Sequence, residues 1–295
     1  PVFLDYQKDM SQLKAKSDIP VLYKQNVAND LFQLIYVFDM GNNHDKALGT
    51  AFDYLEYLGT SDMTPEELKS EFYRLACTFY VSPGNERTYV VLSGLNENMP
   101  AAVQLFEKLL ADAQVNKEAY TNMTSDILKA RSDAKLNQGQ NFSRLMSFAM
   151  YGPKSPATNL LTEAELTNMN PQELVDRIHN QNSYKHRILY YGPSSSKDLL
   201  ATINQYHQVP AALKDIPAGN EYAYLETPVT KVLVAPYDAK QIYMAQISNL
   251  DKKYDPAIEP IRALYDEYFG GGMNSIVFQE MRETRGLAYS AWASI

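Results

Sequence analysis

Cysteine, tryptophan and histidine are scarce in these 295 residues: one Cys, one Trp and four His. A single cysteine, Cys77, can close no intramolecular disulfide and build no cysteine-type zinc site, which excludes a disulfide scaffold and a zinc ribbon. The redox compartment stays open. The histidines are His44, His179, His186 and His207. No two of them lie at i, i+3 or i+4, the spacing that turns two imidazoles toward one metal from a single helical face. Long apolar runs are missing too. The strongest, Leu31–Phe38, is short and contains Gln33, far from the roughly 20 residues a membrane helix needs. Basic residues are outnumbered, 27 Lys+Arg against 35 Asp+Glu for a net charge of −8, and they are scattered. That removes the positive footprint of a nucleic-acid partner. No GxSxG elbow frames a serine nucleophile. Gly270-Gly271-Gly272 lacks the spacing and the lysine of a phosphate loop, so it reads as a hinge or a point of close backbone approach.

What is present is ample for one or two cores, with 45% hydrophobic residues. Val21, Tyr23 and the run Leu31–Phe38 predict two strands. Leu48, Ala51, Phe52, Leu55 and Leu58 share one helical face that stops at Gly59. Thr64-Pro65-Glu66-Glu67 is a capping box with proline at the first helical position, predicting a helix from Pro65 to about Cys77 that places the thiol on its apolar face. Strands over Thr78–Val81 and Arg87–Leu92 flank a turn at Ser82-Pro83-Gly84-Asn85. Helices follow at about Met99–Ala113, Lys117–Leu136 and Asn141–Tyr151, with further starts at Thr162-x-x-Glu165 and Asn170-Pro171-Gln172-Glu173. A strand at His186–Tyr191 and a helix at Ser195–Tyr206 complete residues 1–208. Residues 209–220, rich in Pro, Ala and Gly, read as a linker.

Past that linker the pattern begins again. Val21-Leu22-Tyr23 meets Val232-Leu233-Val234, Leu31-Phe32 meets Ile242-Tyr243, and Glu56-Tyr57-Leu58-Gly59 meets Glu267-Tyr268-Phe269-Gly270, all at one offset of 211 without a gap. Two strand–strand–helix units match this well by chance often enough to keep that reading open. The other reading is a duplicated domain whose second copy occupies 221–295 and is incomplete. The chain starts at Pro1 with no leader, so a targeting signal is expected upstream and the compartment is undetermined. Its last residues, Ala288–Ile295, read as the opening of a strand, as if the chain were cut there.

After the glycine run, Ile276, Val277, Phe278 and Met281 make a short amphipathic helix, Gly286 ends it, and Leu287–Trp292 alternates as a strand. Arg282 near the helix end and Tyr289 beyond the turn could converge on one cleft. Both are donors suited to a peptide carbonyl or a developing oxyanion. Arg282 pairing with a carboxylate near Glu283, and Tyr289 packing as one of 22 tyrosines, are the structural alternatives.

The segment GGGMNSIVFQEMRETRGLAYS resembles the C-terminal-domain signature of the pitrilysin/insulinase family of inverted-zinc metallopeptidases. There a glycine-rich turn precedes S-x-L-F-x-E-L-R-E-x-x-G-L-A-Y-S. The match is dense over about 20 residues, and the repeat and helix order extend it over nearly the whole chain. The resemblance implies an α+β fold with helices on one face of a mainly antiparallel sheet, LuxS/MPP-like and duplicated. It also implies that Arg282 and Tyr289 reach substrate from a non-catalytic domain. The family's H-x-x-E-H helix is a point of departure. Anchored on Gly59-Thr60, Thr50 stands for the first histidine, Asp53 for the glutamate and Tyr54 for the second histidine. The later ligand helix, about Thr121–Arg131, offers Asp126 and no glutamate. No zinc is therefore expected on this chain, whose hydroxyls are poor substitutes for imidazole. The resemblance implies the inactive half of a zinc endopeptidase, with the zinc in a missing half or a partner subunit and an extended peptide as substrate. A separately encoded zinc-free subunit and a non-peptidase scaffold of the same fold stay open beside it.

Overall fold

The computed structural model describes residues 5–249 and 254–295. Helix α1 (Tyr6–Asp9) leads into strands β1 (Ser11–Lys14), β2 (Pro20–Gln25) and β3 (Leu31–Phe38). Helices α2 (Leu48–Leu55) and α3 (Pro65–Arg74) precede the hairpin β4 (Cys77–Pro83) and β5 (Thr88–Leu95). Then come α4 (Met99–Asp112), α5 (Lys117–Ala134), α6 (Gln138–Tyr151), α7 (Glu163–Asn168), α8 (Gln172–Asn180), β6 (His186–Gly192) and α9 (Ser196–Tyr206). The expected elements of this half are all present. Thr64 and Thr162 each accept from the amide three residues on while Glu67 and Glu165 return the bond, so both capping boxes close.

One expectation fails at the end of α3. The helix stops at Arg74 rather than reaching Cys77, because Ala76 takes a left-handed conformation with φ of 49° and turns the chain into β4. Cys77 is therefore the buried first residue of a strand, paired with Gly94. A Cβ on Gly94 would sit 2.6 Å from the Cys77 Cα, so only glycine lets the two backbones meet.

The sheet runs β1-β2-β6-β3-β5-β4, with β2 and β6 parallel and every other pair antiparallel. Alternation decides its two faces. Val21, Tyr23, Phe32, Leu34, Tyr36, Phe38, Val90, Leu92, Ile188 and Tyr190 are buried and form one core with α2, α4, α8 and α9. Gln33, Tyr89 and Tyr191 face the other way and stay accessible. This is the expected α+β arrangement, a mainly antiparallel sheet with helices on one face.

Within that core lies a polar network. The Glu107 carboxylate on α4 accepts from the Asn182 Nδ2 at 3.0 Å and the Gln208 amide at 3.0 Å, and lies 2.7 Å from the His207 Nδ1. His207 Nε2 and His186 Nε2 are 2.8 Å apart, and His186 Nδ1 is 2.7 Å from the Tyr184 carbonyl oxygen. A carbonyl only accepts, so His186 carries its proton on Nδ1. Its Nε2 is then the acceptor, and His207 Nε2 the donor. Burial first, then the neighbouring His207, pushes the His186 pKa down to about 4.

Compactness divides the chain into two units. One runs to Leu225 and takes in Lys231–Gln246; the other comprises Glu226–Thr230 and the residues from Ile247 on. In the first, residues 209–220 are irregular but pinned, Lys214 exchanging backbone hydrogen bonds with Ser183 and Lys185. The strands expected around Val232–Val234 and Ile242–Tyr243 do not form; both stretches are irregular and exposed. In the second unit, α10 (Glu259–Phe269) is followed by α11 (Ile276–Phe278), which continues as a π-helical turn over Gln279–Thr284. Leu287–Trp292 forms no strand. The 211-residue offset carries Leu48 to Glu259 and the N-cap Thr64 to the N-cap Ser275, and a helix starts at each of these positions.

Candidate functional site

Thr50, Asp53 and Tyr54 lie together on α2, Thr50 and Tyr54 one turn apart on the same face. Tyr54 is fully buried. Its hydroxyl donates to the Asn116 carbonyl at 2.6 Å and accepts from the Asn116 amide at 2.9 Å. Asn116 is the N-cap of α5, its side chain accepting from the Ala119 amide. The phenol thus ties α2 to the start of α5, and it packs edge-on against Tyr120 with ring centroids 5.7 Å apart. Burial raises the Tyr54 phenol pKa above its ordinary value.

Asp53 points to the outside of α2, its carboxyl raised by desolvation and then by Glu56. Asp126, on the later helix, is exposed. This donor set does not suit zinc: it offers no imidazole, a neutral phenol whose oxygen already has two partners, and carboxylates facing solvent. Among the described residues no three His, Cys, Asp or Glu side chains gather as a metal-binding group. The 211-residue offset puts Ile261, Leu264 and Tyr265 at the matching places on α10, which are equally unsuited.

Arg282 and Tyr289 do come together. Ser275 caps the helix, its hydroxyl accepting from the Phe278 amide at 3.3 Å and donating to the Gly272 carbonyl at 2.9 Å. The turn is left-handed at Gly286, with φ of 59°, and the Leu287 amide donates to the Met281 carbonyl at 2.8 Å. That reversal sets the Arg282 guanidinium between two rings, its central carbon 4.8 Å from the Phe278 centroid and 4.5 Å from that of Tyr289. Arg282 also pairs with Glu283, Nε to Oε1 at 3.4 Å, which is the carboxylate contact that the sequence left open. Tyr289 is 84% exposed, and its hydroxyl has no hydrogen-bond partner among the described residues. The arrangement offers two adjacent donors, one cationic and one phenolic, on a surface a peptide carbonyl can reach.

The Glu107–His207–His186 network escaped the sequence reading, because its members lie in three separate elements with no local spacing to betray them. His44 is half-buried in its turn, its Nδ1 accepting from the Gly41 amide at 3.1 Å. Among the described residues no helix is long and apolar enough to cross a membrane.

No protein-family model matches this chain. It is 20% identical over 263 residues to an uncharacterized zinc protease of Rickettsia felis, covering 84% of this chain and 60% of that protein. Among solved structures, the peptidase M16 inactive domain from Pseudomonas fluorescens superposes with a TM-score of 0.69 at 16% identity, over 96% of this chain and 70% of that one. The periplasmic protease PqqL from Escherichia coli gives a TM-score of 0.64 at 14% identity, over 74% of this chain and 25% of that one. The chain spans 60% of the length of its curated relative, and its fold is that of the M16 inactive domain.

Proposed function

We propose that this chain, which resembles the zinc-free half of the pitrilysin/insulinase (M16) peptidases, binds an extended peptide for cleavage by a zinc-bearing HxxEH half or subunit. Residues 1–208 form the domain without the motif, 209–220 the linker, and 221–295 the start of the second domain that carries Arg282 and Tyr289. The observation that carries the reading is the phenol of Tyr54. In the place of a metal-binding imidazole stands a buried hydroxyl that joins α2 to α5 by itself. The elements that a zinc ion would bridge are held together without one.

The zinc, its activated water and the general base belong to the HxxEH-bearing partner in this reading. The work left to this chain is binding and charge stabilisation inside an enclosed chamber. The Arg282 guanidinium, fixed between two rings, meets the carbonyl oxygen as negative charge develops on it. The Tyr289 hydroxyl adds a second hydrogen bond to the same oxygen. A scaffold with no peptidase role would have no use for an exposed, stacked guanidinium beside a free phenol.

The test is turnover of a quenched extended peptide by the assembly of this chain with the HxxEH-bearing half. Arg282→Ala and Tyr289→Phe should each lower kcat by about 10²-fold, as loss of one oxyanion donor does, and should change KM little. Native kcat in both variants would sink the reading.

A further inference from the structure

A groove in the first unit is built to a different charge balance from the rest of the molecule. It lies between α5, α6 and the loop from Gly152 to Thr162, with a volume of about 730 Å³. Arg131, Lys135 and Arg144 line it against a single acid, Glu163, in a chain whose acids outnumber its bases 35 to 27. Arg131 is held in place by donating from Nη1 to the Leu161 carbonyl at 2.6 Å. The side chains of Lys135 and Arg144 make no ion pair or hydrogen bond with any described residue. The same groove exposes apolar side chains: Phe148 is 48% exposed and Leu160 50%. Two unpaired cations beside bare apolar side chains in an acidic protein call for a ligand that brings both carboxylate and apolar groups.

We propose that this groove binds a segment of extended peptide in which acidic side chains alternate with apolar ones. Arg144 and Phe148 lie one turn apart on the same face of α6, so the ligand must bring carboxylate and apolar groups close together. Carboxylates then meet Arg131, Lys135 and Arg144 while aliphatic groups settle on Phe148 and Leu160. A nucleic acid would satisfy the cations but leave the apolar floor uncovered, and the net charge of −8 opposes it. The proposal names the substrate class for the peptide-binding role above and rests on that reading.

The experiment is fluorescence anisotropy on the whole chain, with no zinc-bearing half present and no hydrolysis measured. The probe is an octapeptide of alternating Glu and Leu with fluorescein on its N-terminal nitrogen and an amidated C-terminus, and the free dye serves as the control. Binding to the native chain is expected. The double variant Lys135→Glu/Arg144→Glu should weaken it by about tenfold or more, and Phe148→Ala by about fivefold. These side chains are accessible, so the variants should melt with the native chain, which circular dichroism checks. Replacing Glu by Lys in the probe should also cost at least about tenfold. Native affinity in the charge-reversed variant, equal binding of the lysine peptide, or displacement by an oligothymidylate as readily as by unlabelled peptide would each overturn the proposal. If the Arg282 and Tyr289 variants lose turnover while groove variants bind normally, the groove falls and the peptidase reading stands. Groove-dependent binding with native turnover in the Arg282 and Tyr289 variants gives the reverse.

Discussion

Two stretches 211 residues apart open on the same apolar pair, Leu31-Phe32 and Ile242-Tyr243, and meet opposite fates; the second then has Gln246, Ser248 and Asn249 where the first has Ile35, Val37 and Phe38. Leu31–Phe38 pairs on both edges, with β5 and β6, and buries Phe32, Leu34, Tyr36 and Phe38. The matching stretch 211 residues on is irregular, with Ile242 86% and Tyr243 52% exposed. The two helices of the same repeat form in both places, at Leu48–Leu55 and Glu259–Phe269, and at Pro65–Arg74 and Ile276–Thr284. The difference lies in where each element finds its hydrogen bonds. A helix closes its bonds within itself, four residues away. A strand needs neighbours. Amphipathic pattern alone is enough for the helix, and pairing is indispensable for the sheet.

This contrast predicts where the molecule is sensitive. Glu107→Gln, which takes the charge from a carboxylate facing three donors in the core, should destabilise the first unit by about 3–5 kcal/mol. Circular dichroism follows that unit, and the sole tryptophan, Trp292, reports on the second. A downward shift in the dichroic melt with unmoved Trp292 emission is expected, and a shared shift would break the contrast. Next in size is pH. His186 titrates near 4 when folded against an ordinary 6.5, so the unfolded chain takes up its proton first. The stability it contributes is fully present above pH 6.5 and is lost as pH falls toward 4, by about 3 kcal/mol in all. Urea unfolding at pH 7 and pH 4 should show that loss, and His186→Gln should diminish the difference. The smallest effect belongs to α10. Leu264 is 74% exposed, so Leu264→Ala should change stability by no more than about 0.5 kcal/mol. A loss of several kcal/mol there would mean the second unit has a core of its own.

Much of this was legible from residues alone. The capping boxes at Thr64 and Thr162 and the apolar face of α2 each carry their structure in a few neighbouring positions, and each formed as read. The turn expected over Ser82-Pro83-Gly84-Asn85 begins only at Gly84, because Ser82 and Pro83 pair with Tyr89 and Thr88 at the end of β4. Cys77 was misplaced because helix periodicity continued past Arg74, while the left-handed turn at Ala76 has no glycine to announce it. Val232–Val234, Ile242–Tyr243 and Leu287–Trp292 carry strand composition without strand partners, a fact no local window contains. At the candidate site, the spacing of Arg282 and Tyr289 around Gly286 pointed to their meeting, and they meet. The pair of hydrogen bonds between the Tyr54 hydroxyl and the Asn116 backbone could not be read, since it joins residues far apart in sequence. The encounter of His186 with His207 and Glu107 was hidden for the same reason.

The place of β6 in the sheet has a consequence for how the molecule is made. It lies between β2 and β3, and its parallel register sets Val21 against Ile188. Strand β2 can therefore pair with β1 at once but cannot dock on β6 until nearly all of the unit has been synthesised. At about 5–20 residues per second the wait is on the order of ten seconds, while β3, β5 and β4 have already assembled as an antiparallel ribbon. For that interval the ribbon offers an open edge on β3 to any strand that passes, and its late closure by β6 is the step a chaperone would guard.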